Sequence, residues 1–167
     1  GMPRRYLHNE LGYNSRLDAI QAAVLNVKLP KLMGWVKKRK MIADRYMELL
    51  NDLTDLKLPG KIHQENMRHA WNQFVVRVEN TNLKESFLKK QSKLKNVNYE
   101  NNFKITSRRD WLKESLHENG VNTIIYYPIP IHLQPAYKGL NDDLVRLPVT
   151  EKLCNEVLSL PIFPEIT

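Results

Sequence analysis

Cysteine is nearly absent from this 167-residue chain: Cys154 stands alone, which excludes an internal disulfide framework and any metal site built from several cysteines. Long apolar runs are missing as well. No stretch is long enough to cross a bilayer as a helix, and the opening GMPRRYLHNE has no apolar segment of a signal peptide behind Arg4 and Arg5. A reducing, cytoplasmic setting is the expectation, with no membrane partner. Internal repeats are lacking. Aromatic residues make up only 8% of the chain and do not interleave with the lysine clusters, so the net charge of +8 reads as a solvated helix face plus a basic insert. A stacking platform for nucleic acid needs that interleaving, and a nucleic-acid partner is not expected.

What is present suffices for one globular domain with a modest core, given a hydrophobic content of 42%. The chain is organised around Gly12-Tyr13-Asn14-Ser15-Arg16-Leu17-Asp18, a polar turn running into an amphipathic helix. Asn14 or Ser15 is expected to cap that helix, with Asp18 in its first turn favouring the positive end of the dipole. The same turn offers backbone N–H groups, an amide, a hydroxyl and the Arg16 guanidinium, a donor set that suits a phosphate. A plain capped helix, the commoner outcome, and an anion site both remain open on spacing alone.

Leu17, Ile20, Val24 and Val27 recur at helical spacing until Pro30 ends or kinks the run. Leu32, Trp35, Val36, Ile42, Tyr46, Leu49, Leu50 and Leu53 continue the pattern in a second helix, their stripe reading as core, with Lys37, Lys38, Lys40 and Asp44 on the wet face. Leu58-Pro59-Gly60 closes this half, and residues 61–68 read as a loop. Residues 73–78, rich in Val and Phe, predict a strand. His63 and His69 have no Cys or carboxylate cluster at ligand spacing, so they are read as structural or solvent-exposed and no metal ligand is nominated.

Residues 81–106 are rich in Lys, Asn and Ser and read as an exposed polar insertion, with one short helix over 83–94. Ser107 caps a predicted helix over 108–119, with Trp111, Leu112 and Leu116 inward and Gly120 as its left-handed stop. Residues 121–127 predict a strand, followed by the stiff Pro128-Ile129-Pro130. A last helix starts at Leu147-Pro148 and runs through Val157, with Cys154 as a small buried hydrophobe within it, before a short edge strand over 158–162. Together these elements predict a two-layer α+β domain, helices packed on one face of a small sheet.

Two stretches, GYNSRLDAIQAAVLNVKL and YYPIPIHLQPAYKGL with LSLPIFPE after it, resemble the DegT/StrS-type nucleotide-sugar aminotransferases. Some members have been labelled pleiotropic regulatory proteins. The resemblance implies the aspartate-aminotransferase fold (fold-type I), with pyridoxal phosphate (PLP) as cofactor and transfer of an amino group, usually from glutamate, to a nucleotide-linked keto-sugar. It covers most of residues 3–166 outside the polar interval. On this reading residues 1–167 correspond to the small C-terminal domain with its leading helix. The large domain that carries the cofactor lysine falls outside the match, so no catalytic residue is nominated and the chain alone is expected neither to hold the cofactor nor to transaminate.

The resemblance also assigns sites. Asn14, with Ser15 and Arg16, corresponds to the segment that reaches the phosphate of a PLP held mainly by the neighbouring subunit of a dimer. Tyr126, Tyr127 and His132 correspond to the substrate side; the family commonly has a His-Tyr pair where this chain has Tyr126-Tyr127, which keeps hydrogen bonding but loses a group that titrates near neutral pH. For His132 a contact to nucleotide-sugar or partner subunit and a turn-ordering role are equally open. Two other classes stand beside the enzyme-fragment reading: a stand-alone binding or regulatory module that pairs with itself or with a full-length relative, and a polyanion-binding domain acting through the lysine-rich interval.

Overall fold

The computed structural model describes residues 2–60, 69–79, 107–137 and 145–166. Helix α1 (Ala19–Lys28) passes through a single 3-10 turn, Leu29–Lys31, into α2 (Leu32–Leu50), so Pro30 marks a change of helical pitch rather than a break. Pro is tolerated at a helix start because its missing N–H has no intrahelical acceptor there. The cap of α1 is Asp18, not Asn14 or Ser15: its carboxylate accepts the Gln21 N–H at 2.8 Å and its backbone is extended. The helix therefore begins later than the Asn-Ser pair suggests, leaving residues 12–17 outside regular structure.

A three-stranded antiparallel sheet accompanies the helices, in the order β1 (Leu56–Lys57), β2 (Phe74–Val78), β3 (Val157–Leu160). The central strand alternates as a half-buried strand must: Phe74, Val76 and Val78 are buried, Val75 and Arg77 only partly. In register, Phe74 faces Leu160 and Val76 faces Leu158. These residues make the core together with Ala43 of α2, Trp71 and Ile125. The Tyr46 ring of α2 lies 5.0 Å from Phe74 and its hydroxyl donates to the Pro161 carbonyl at 2.9 Å, fastening α2 to the end of β3.

Helix α3 (Arg108–Glu118) opens with a capping box: the Ser107 hydroxyl accepts the Asp110 N–H and the Asp110 carboxylate accepts the Ser107 N–H. It closes as expected at Gly120, whose φ of +79° permits the pair of bonds Gly120 N–H to His117 C=O and Val121 N–H to Leu116 C=O. Arg109 is buried, held by the Asp110 carboxylate at 2.7 Å, and donates to the carbonyls of Cys154 (3.1 Å) and Val157 (2.9 Å) where helix α4 (Pro148–Glu156) runs into β3. A cation is favourable at that negative helix end, and it satisfies carbonyls the helix leaves open.

Several expectations are corrected. Residues 121–127 do not form a strand; Ile124 alone bridges Ser159, through both backbone bonds. Extending that ladder would set Asn122 against Pro161, which has no N–H to give, and Tyr126 against Val157, where α4 has just ended. The same proline ends β3 at Leu160, short of the predicted 162. Strand β1 was not foreseen; two residues carry too little pattern to read. The apolar stripe of α1 is not core: Leu17, Ile20, Val24 and Val27 are all exposed, and the helix has no buried residue. In α2, Ala43 is buried, Leu32 and Leu49 are exposed and Trp35, Val36, Ile42, Tyr46 and Leu50 are half-buried; Leu53, beyond its end, is exposed. Cys154 is half-buried, and burial raises its thiol pKa, which keeps it protonated. The insertion at 81–106, its helix over 83–94, the loop over 61–68 and His63 lie outside the described residues.

Candidate functional site

Beyond the Ile124 bridge the chain turns through Tyr126 and Tyr127, joined by a cis peptide, to the buried Pro130 and two 3-10 turns, Ile131–Leu133 and Pro135–Tyr137. Gln134 sits between the turns, 8% exposed, extended because a proline follows it. Its amide oxygen accepts the His8 N–H at 3.0 Å and its NH₂ donates to the Tyr6 carbonyl at 2.9 Å, while the Ala136 N–H reaches the His8 carbonyl at 2.8 Å. One buried side chain thus fastens the N-terminal segment to the opposite end of the sequence.

That fastening builds an aromatic cluster. The Tyr6 ring stands edge-on to Tyr126 at 6.0 Å and to Tyr127 at 5.5 Å, and the latter two are 5.6 Å apart. The Arg5 guanidinium lies 5.0 Å above Tyr6. Burial raises the Tyr6 phenol above its ordinary pKa, against the lowering effect of Arg5, so all the chemistry it offers is that of a neutral hydroxyl. Tyr127 is exposed and Tyr126 half-buried, which leaves phenols and a cation at an open surface. Such a group can hydrogen-bond a polar ligand and neutralise an anionic one.

His132 takes another direction. Its side chain is buried, with Nε2 3.1 Å from the Glu151 carboxylate, which also accepts the Leu147 N–H at 3.0 Å. Those two contacts, the histidine first, hold the Glu151 carboxyl below the usual carboxylate range. The histidine ties the turn to the first turn of α4. Asn14, Ser15 and Arg16 are exposed, and no hydrogen bond joins them to the tyrosine cluster among the described residues. Their amide, hydroxyl and guanidinium remain available to an anion. His69 accepts the Trp71 N–H at 2.8 Å and lies against its ring, a structural use. Among the described residues, no three His, Cys, Asp or Glu side chains gather as a metal site would require, and no helix is long and apolar enough to cross a membrane.

Tyr126 also lines an open cleft of about 250 Å³. Its described lining is Asn72, Gln73, Asn122, Tyr126 and Ser159 together with the apolar Ile124, Leu160, Pro161 and Ile162; the Ser159 hydroxyl itself is buried.

Comparison with known proteins decides the family. The profile of the DegT/DnrJ/EryC1/StrS aminotransferase family matches residues 1–106 and 95–167. The chain belongs to that family. Among curated members of the DegT/DnrJ/EryC1/StrS family, a pleiotropic regulatory protein of Geobacillus stearothermophilus is 35% identical over 99% of the chain and 37% of its own length. A dTDP-3-amino-3,4,6-trideoxy-alpha-D-glucose transaminase of Streptomyces venezuelae is 33% identical over 99% of the chain and 36% of its own length. The crystal structure of S. venezuelae DesV in complex with a ketimine intermediate superposes with a TM-score of 0.66, at 33% identity, over the whole chain and 37% of DesV. The chain therefore spans about 37% of the length of such relatives, and its mixed α+β architecture matches a third of an aminotransferase fold.

Within this family member, sequence reasoning named Tyr126 and Tyr127 but not Arg5, Tyr6 and Gln134, which the structure gathers beside them. The one available signal for Gln134 was a long amide placed directly before Pro135, between two short turns whose backbone needs outside partners.

Proposed function

We propose that this chain is the C-terminal part of a PLP-dependent aminotransferase acting on a nucleotide-linked keto-sugar, in the biosynthesis of amino sugars for surface polysaccharides. The observation that carries the reading is the match over 99% of the chain to a relative whose name is that of a dTDP-amino-sugar transaminase. In the proposal residues 1–167 form the small domain of a fold-type I transferase, helices on one face of the sheet, with 81–106 as a polar insertion, and the enzyme works in the cytoplasm as a homodimer or beside a full-length relative.

The residues present fit the phosphate end of PLP. Asn14, Ser15 and Arg16 are exposed and combine an amide, a hydroxyl and a cation, the donors a phosphate takes. They would hold the phosphate of a cofactor carried mainly by the neighbouring subunit. PLP, when bound, supplies the electron sink for moving an amino group. Tyr126 and Tyr127 would orient the sugar through their phenols, while His132, through Glu151, would keep the turn that follows them in place. The exposed apolar face of α1 supports a chain that works packed against more protein, because a large unpartnered apolar surface is uncommon on a free-standing domain. A second reading, a stand-alone binding module, draws on the similarity to the protein named a pleiotropic regulatory protein.

The test is a chimera in which residues 1–167 replace the matching segment of the S. venezuelae transaminase, assayed with PLP, glutamate and nucleotide keto-sugars. Turnover by the chimera, abolished by Asn14→Ala together with Arg16→Ala, is expected; the isolated chain should give none. A chimera that folds, binds PLP and never turns over would refute the enzyme reading in favour of the module.

A further inference from the structure

Tyr6 has a φ of 65°, a left-handed conformation that a bulky residue rarely adopts. It stays there because the backbone around it is held at several points. The Leu7 N–H bonds back to the Arg4 carbonyl at 3.0 Å, Gln134 grips the Tyr6 carbonyl, and His8 is fixed at both its N–H and its C=O. Strain of this kind persists only where the surroundings over-determine it, so the outlier points to a task. That task is not hydrogen bonding, because the Tyr6 hydroxyl is buried and has no partner. What the held backbone delivers is the ring, edge-on to both Tyr126 and Tyr127 with the Arg5 guanidinium over it.

We propose that Tyr6 is a positioning residue: its ring braces Tyr126 and Tyr127, so that their phenols are oriented before any ligand arrives. The three centroids stand 5.5–6.0 Å apart with the ring planes steeply inclined, the edge-to-face geometry that aromatic pairs favour. Each ring is thereby fixed against the other two. Without Tyr6, Tyr127 would keep Tyr126 as its one described ring neighbour, and at 59% exposure little else restrains it. A side chain oriented in advance does not have to be ordered on binding, and affinity rises accordingly. Gln134 acts one step further back, through the backbone that holds Tyr6 in place. That the oriented phenols serve a sugar rests on the function proposed above; the bracing itself does not.

Two variants separate the ring from its backbone and from its hydroxyl. Tyr6→Gly removes the ring and suits the left-handed backbone, so the segment stays fastened; Tyr6→Phe keeps the ring and drops only the hydroxyl. In the 167-residue chain with ¹³C-labelled tyrosine rings, the Tyr126 and Tyr127 signals should move toward those of free tyrosine in Tyr6→Gly and hold their places in Tyr6→Phe. Hydrogen-exchange protection of the His8 and Ala136 amides should survive in both. In the chimera, Tyr6→Gly should lower kcat/KM for the keto-sugar about 5- to 15-fold, two phenols having to be ordered at roughly two- to fourfold each. Tyr6→Phe should match the parent, and kcat/KM for glutamate should stay within about twofold in every variant, whereas damage to the fold or to cofactor binding would lower both. Ring signals unmoved by Tyr6→Gly, Tyr6→Phe as harmful as Tyr6→Gly, or an equal fall for both substrates would overturn the assignment. An inert chimera beside ring signals that move as expected sinks the transaminase reading alone, while an active chimera indifferent to Tyr6→Gly sinks the brace alone.

Discussion

Replacing Gln134 by leucine keeps the bulk of a buried side chain and removes both of its hydrogen bonds, leaving the His8 N–H and the Tyr6 carbonyl without their partners. The site is partly buried, so the cost lies at the low end for stranded backbone groups, about 1–1.5 kcal/mol each and about 2–3 kcal/mol in total. That penalty does not fall on the whole fold, since residues 2–8 can detach while the sheet stays closed. Tyr6, moreover, has a φ of 65°, a left-handed conformation that costs a bulky residue about 1–2 kcal/mol and that detachment would relieve. Gln134→Leu should therefore raise the local opening equilibrium about 30- to 150-fold, every 1.4 kcal/mol being tenfold. Native-state hydrogen exchange reads it directly: the amides of His8 and Ala136 should lose protection together while Val76, in the core of β2, keeps its own. Unchanged exchange at His8, or equal loss at Val76, would refute the view that the Gln134 side chain is a main fastening of the segment.

Other perturbations follow from the same contacts. Phe74 is fully buried at the centre of the core, so Phe74→Ala should cost about 3–5 kcal/mol, measured by urea unfolding, and a chain of this modest core should be largely unfolded by it. Ser107→Ala removes half of the capping box of α3 and should cost about 1 kcal/mol in the same assay, with Ser107→Asp recovering most of it. Glu151 has its folded pKa below the ordinary 4.5, so the folded state binds fewer protons there; the stability it contributes is present above 4.5 and is lost as pH falls through the depressed value. Glu151→Gln should flatten that part of the acid limb in a pH series of unfolding midpoints, and an identical limb in both chains would contradict it.

Where local chemistry decides the outcome, the chain is readable. Ser107 and Gly120 bound α3 because one side chain and one left-handed residue settle its ends, and the alternation of Phe74, Val76 and Val78 identifies β2 because half-burial demands it. Where a partner decides, the chain misleads. Residues 121–127 carry strand composition, yet the ladder is stopped by Pro161, a residue far along the sequence. The site shows the same division. Tyr126 and Tyr127 stand out at the exit of an apolar run, whereas Tyr6 joins them through contacts such as its carbonyl's bond from Gln134, across a separation of 128 residues that no periodicity reports.

Helix α1 sharpens the point. Ten residues without a buried side chain form a helix that is marginal in water on its own, since isolated helices shorter than about 12–15 residues are. Its pattern is nevertheless that of a packed helix, with Ile20, Val24 and Val27 on a regular stripe and all exposed. The Asp18 cap fixes its start and, by taking the capping role, leaves Asn14, Ser15 and Arg16 without a local task. An apolar face and a free set of anion-binding donors lie next to each other in the sequence at the same end of the chain. A surface packed against α1 would bring its own anion within reach of those donors, so the helix's burial and the phosphate contact should be gained together: Ile20→Asp, which disturbs the packing and touches no donor, should weaken PLP binding in the chimera as Asn14→Ala does.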